Sequence, residues 1–118
     1  MNLNHLNLTV TDVRATEEFL KKYFDLKTVS TRGNSFTLLT DDQGMLLSLM
    51  KGKQVEYPKT FHIGFVQESD EQVNKIYKRM KEDGIDVDPP QNAHGWTFFV
   101  KTPGGFTVEV LSRERSKK

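Results

Sequence analysis

Apolar and polar residues alternate along this chain with two periods, and the whole pattern is stated twice. Leu6, Leu8 and Val10 interleave with His5, Asn7 and Thr9, a period of two that predicts a strand with one buried and one polar face. Asp12 stands where a carboxylate can cap a helix. Thr16, Phe19, Leu20 and Tyr23 then recur at i, i+3, i+4 and i+7, which predicts a helix from about Val13 to Phe24 with one buried stripe. Three short strands are expected next, at Lys27 to Thr31, Ser35 to Thr40 and Met45 to Met50. Arg32-Gly33-Asn34 and Asp41-Asp42-Gln43-Gly44 supply the turns between them.

After a polar stretch from Lys51 to Lys59 the order returns. Phe61 to Val66 reads as a strand, and Ser69 with Gln72 fits a capping box. Val73, Ile76, Tyr77 and Met80 repeat the helical stripe, with Gly84 placed for a left-handed C-cap. Ile85 to Asp88, Trp96 to Lys101 and Phe106 to Ser112 are the last expected strands, the final two joined by a tight turn at Pro103-Gly104-Gly105. The offset from His5 to His62 is 57, and Asp12 moved by the same 57 falls on Ser69, the second cap. Gly44 to Met50 sets against Gly105 to Leu111 with an offset of 61, which pairs Glu109 with Ser48. The expected fold is therefore α+β, with two βαβββ modules at about 1–55 and 60–112 in one domain over 1–118. Its curved mixed sheet surrounds a cavity, with the helices outside.

Composition removes several alternatives. A chain of 118 residues can bury one core but not two independently stable ones, so the two modules must share a domain. The formal charge is +1, from 17 basic and 16 acidic residues, which gives no electrostatic basis for binding nucleic acid or an acidic membrane. No cysteine is present, so thiolate metal sites and cysteine nucleophiles are excluded. With no apolar leader or membrane-length run, a soluble, cytoplasmic protein is expected. The basic end, Arg113 to Lys118, is expected to be frayed.

The candidate chemistry lies on the polar faces. Strand parity places His5, Asn7 and Thr9 on one face, and Thr107 and Glu109 on the corresponding face of the last strand. Two imidazoles and one carboxylate match the facial triad that holds a divalent ion while leaving coordination positions open. Fe, Mn, Ni, Co and Zn all suit such nitrogen and oxygen donors. The alternative for each histidine is a surface or hydrogen-bonded position, and for Glu109 a solvated edge. His94, in the loop before Trp96, is a candidate catalytic acid or base, with a solvated loop side chain as its alternative. Thr9, Phe36, Ser48, Phe99 and Lys101 are candidate pocket residues, Lys101 as a contact for an anionic substrate.

Asn4-His5-Leu6-Asn7-Leu8-Thr9-Val10-Thr11-Asp12, Phe61-His62-Ile63-Gly64-Phe65 and Pro103-Gly104-Gly105-Phe106-Thr107-Val108-Glu109-Val110 together resemble the vicinal oxygen chelate superfamily. This is the glyoxalase, bleomycin resistance and extradiol dioxygenase group. The resemblance implies the paired βαβββ fold and a metal held by His5, His62 and Glu109. It implies a lyase, transferase or dioxygenase acting on a small substrate chelated through adjacent oxygens. Glyoxalase I carries a fourth ligand, normally glutamate, where this chain has Ser48, so that particular activity is not expected. The alternative function is a non-catalytic small-molecule or antibiotic binding protein of the bleomycin resistance type. The resemblance also implies a homodimer in which His5 of one chain joins His62 and Glu109 of the other.

Overall fold

A computed structural model describes residues 1–114. Arg115 to Lys118, most of the basic end expected to fray, lie outside the described residues. The chain forms two compact units. The first comprises Met1–Tyr57 with Thr102–Gly105, and the second Pro58–Lys101 with the segment from Phe106 onward. Each carries one βαβββ module, as the repeat predicted.

In the first unit β1 (His5–Val10), α1 (Val13–Phe24), β2 (Lys27–Arg32), β3 (Phe36–Thr40) and β4 (Leu46–Lys51) form a four-stranded mixed sheet of order β1-β4-β3-β2. β1 runs parallel to β4 and the other pairs are antiparallel. The Asp12 carboxylate accepts from the Ala15 amide at 3.0 Å and starts α1 as predicted. The helical stripe is buried, with Phe19 and Tyr23 stacked edge to face 5.1 Å apart. Leu8, Val10, Leu39, Leu47 and Leu49 are the buried apolar positions of the sheet, and His5, Asn7 and Thr9 are exposed.

The stripe contains a residue that periodicity did not single out. Glu17 is buried, and its carboxylate accepts from the Thr28 hydroxyl at 2.5 Å and the Thr37 hydroxyl at 3.1 Å. The first bond ties α1 to β2, an edge strand exposed along its whole length, and the second ties it to β3. Glu17→Ala leaves both hydroxyls without that acceptor, and urea unfolding is expected to show a loss of about 1–3 kcal/mol.

The Thr102–Gly105 turn completes this unit. The Gly105 amide donates to the Thr102 carbonyl at 3.1 Å. Gly104 lies so close to β1 and α1 that a Cβ there would stand 2.6 Å from Val10 Cγ1 and 2.7 Å from Thr16 Oγ1. Only glycine permits that approach.

The second unit repeats the plan with β5 (His62–Val66), α2 (Asp70–Glu82), β6 (Gln91–Asn92), β7 (Trp96–Lys101) and β8 (Thr107–Ser112), in the order β5-β8-β7-β6. Ser69 caps α2, accepting from the Gln72 amide at 3.2 Å, and Gly84 takes the left-handed conformation after it. Val73, Ile76 and Met80 pack inward, and Phe98 meets Tyr77 edge to face at 5.8 Å.

The strand expected at Ile85 to Asp88 does not form. Val87 is buried, but Pro89 and Pro90, directly after the segment, have no amide hydrogens, so a ladder cannot continue through them. Pairing with β7 begins only beyond the prolines, at the two residues of β6. Among the described residues no helix is long and apolar enough to cross a membrane.

Candidate metal centre

β8 lies inside the second sheet, with Gly64 of β5 on one side of Glu109 and Phe99 of β7 on the other. Alternation along β8 turns Val108 and Val110 away from the face that carries Glu109. Glu109 is nevertheless only 5 % exposed, which rules out the solvated edge considered for it. Its two oxygens have different surroundings. Oε2 accepts from the Thr97 hydroxyl at 2.7 Å and also meets His94 Nε2. Oε1 faces His62 Nε2 at 3.4 Å. Burial pushes the Glu109 carboxyl upward, but hydrogen bonds from Thr97 and His94 and the charges of the two histidines outweigh it, holding the group below the usual glutamate range. Glu109 is therefore an ionised carboxylate and accepts only. His94 must carry a proton on Nε2 to bond with it.

His62 has the opposite arrangement. Its Nδ1 lies 3.0 Å from the Thr60 carbonyl, which can only accept, so Nδ1 carries the proton. In the neutral ring Nε2 then presents a lone pair to Glu109 Oε1, and two acceptors face each other. That juxtaposition is favourable only with a cation or a further proton between them. Gly64 leaves the position open: a Cβ there would stand 4.0 Å from Oε1, and a longer side chain would cover it. Among the described residues no three His, Cys, Asp or Glu side chains are grouped so as to hold an ion by themselves. The pair of His62 and Glu109 thus fits two ligands of a divalent ion, and further donors must come from outside the pair.

The remaining candidates divide between the units. His5 is exposed on β1 of the first unit, and its Nδ1 lies 2.8 Å from Asn4 Oδ1. Thr9 and Ser48 are on the same sheet, where the Ser48 hydroxyl donates to Asn7 Oδ1 at 2.6 Å. Phe36 lies beneath Arg32, whose guanidinium is 5.9 Å from the ring centre. In the second unit Phe99 is 45 % exposed and meets His62 edge to face at 5.3 Å, while Lys101 is exposed on the same strand. Thr97 and Gly64 were not anticipated. The signal for Thr97 was its shared parity with Phe99 and Lys101; Gly64 could be found only from the β5–β8 register.

Comparison with known proteins gives a consistent result. The sequence model of the Glyoxalase/Bleomycin resistance protein/Dioxygenase superfamily matches residues 2–110. A structure described as a possible glyoxalase from Bacillus cereus is 58% identical, with a TM-score of 0.92 over 94% of this chain and 98% of that one. The fosfomycin resistance protein FosX of Listeria monocytogenes is 26% identical over 92 residues, covering 74% of this chain and 68% of FosX. An E126Q mutant of that FosX, complexed with Mn(II) and 1S,2S-dihydroxypropylphosphonic acid, shares the fold with a TM-score of 0.79 at 21% identity. It covers 93% of this chain and 88% of that one.

Proposed function

The chain belongs to the glyoxalase, bleomycin resistance protein and dioxygenase superfamily, and from that premise we propose that it is a divalent-metal-dependent enzyme acting on a small substrate with two adjacent oxygens. His62 and Glu109 are two of the ligands and His5 the third. The single observation that carries this reading is His62 Nε2 set 3.4 Å from Oε1 of the buried Glu109, with the other nitrogen of that ring engaged by the Thr60 carbonyl. A bound divalent ion supplies Lewis acidity toward the substrate oxygens. Thr60 fixes the tautomer of His62, Thr97 and His94 fix the carboxylate, and Phe99 walls the imidazole from one side. Mn(II) is the ion to test first, because it accompanies FosX.

Protein purified without chelator is expected to contain about one divalent ion per chain, and His62→Ala to contain none. Elemental analysis checks this, and a metal-free parent would defeat the proposal. His5 is contributed within a homodimer, each site drawing on two copies; sedimentation at micromolar concentration should then give twice the chain mass. The side chain of Ser48, engaged with Asn7, favours a second reading, a binding protein without chemistry. That reading predicts equal stabilisation by aromatic ligands with and without EDTA in a thermal shift assay.

A further inference from the structure

We propose that His94 is a positioning residue that reserves Oε2 of Glu109 for the protein and leaves Oε1 for the metal, with Gly95 holding the loop in place. The inference deepens the metal reading and rests on it. Two donors, from Thr97 and His94, converge on Oε2 within hydrogen-bonding distance, whereas Oε1 faces His62 Nε2 at the longer distance of 3.4 Å and borders Gly64. A carboxylate fixed this way offers one oxygen rather than two. The coordination position that a second oxygen would occupy is left for substrate, which a site chelating two adjacent oxygens requires.

The loop is built to place His94 there. β6 and β7 pair antiparallel with Asn92 opposite Trp96, so Ala93, His94 and Gly95 form a three-residue hairpin loop with His94 at its centre. The Ala93 amide donates to the Gly95 carbonyl at 2.9 Å and closes it. Gly95 is buried, and a Cβ there would stand 2.6 Å from the Ser112 carbonyl oxygen at the end of β8. Any side chain must lift the loop off the strand that carries Glu109. Behind the loop, the Trp96 indole donates to Asn74 Oδ1 at 2.7 Å and fixes the start of β7 to α2. Nε2 is committed to the carboxylate, and through that bond His94 acts on the orientation of Glu109. The role is orientation.

The test has two arms. In calorimetric titration of Mn(II) into chelator-stripped protein, His94→Ala should weaken binding roughly 10–100-fold, the usual effect of removing a partner that orients a ligand. Gly95→Ala should weaken it in the same direction with His94 still present. In the metal-free protein, NMR signals of the His62 ring should move in His94→Ala and return toward the parent in His94→Gln, which restores an N–H donor. Unchanged His62 signals, or Mn(II) affinity equal to the parent in His94→Ala, would overturn the proposal. A parent that binds no Mn(II) defeats the metal reading instead, and the NMR arm then decides the placement of the carboxylate alone.

Discussion

Glu109→Ala is expected to abolish divalent-ion binding and to destabilise the metal-free protein at the same time. The first effect follows from loss of a ligand. It should exceed the roughly 10–100-fold penalty of losing an orienting partner. The second follows from what remains. Thr97 is 3 % exposed, and its hydroxyl loses the acceptor at 2.7 Å, while His94 loses the carboxylate that holds its loop. Stranding buried donors costs about 1–3 kcal/mol. Titration calorimetry and urea unfolding of chelator-treated protein measure the two effects separately. Mn(II) affinity within a few-fold of the parent would remove Glu109 from the site.

The second large effect separates two neighbouring phenylalanines. Phe98 is 2 % exposed and packs against Tyr77 of α2, whereas Phe99 emerges on the opposite face beside His62. Phe98→Ala should cost about 3–5 kcal/mol, because the ring's burial is lost and a cavity remains. Set against a stability of about 5–15 kcal/mol for such domains, that is a large fraction. Phe99→Ala should stay within about 0.5 kcal/mol of the parent, as exposed substitutions usually do. Urea midpoints give both values, and equal losses would mean that β7 is turned differently from the alternation described here.

That contrast also shows which parts of the molecule were legible in the sequence. Parity along a strand is local, so the opposite destinations of Phe98 and Phe99, and of Glu109 and its flanking valines, could be read directly. Helix caps are local too, and Asp12 and Ser69 were found because a short polar side chain stood just before an apolar stripe. The features missed depend on approach between distant segments. The partnership of His94 with Glu109 requires a hairpin loop seated on a strand carbonyl seventeen residues later, which Gly95 allows without announcing it. Glu17 has the charge of a surface residue and the position of a core residue, resolved only by two threonine hydroxyls on other strands. The strand expected at Ile85 to Asp88 failed for a third reason: the Ile85 amide is taken by the Met80 carbonyl at the end of α2, and the prolines directly after Asp88 stop a ladder from continuing.

The first unit is built from two separate stretches of chain, and this bears on biosynthesis. A ribosome delivers Val10 and Thr16 long before it delivers Gly104, whose backbone lies against them. The nascent N-terminal module must therefore wait, with part of its surface uncovered, until the segment through Gly105 has emerged. A chain cut before Thr102 would lack that cover, so the N-terminal module made alone should expose apolar surface and be prone to aggregate.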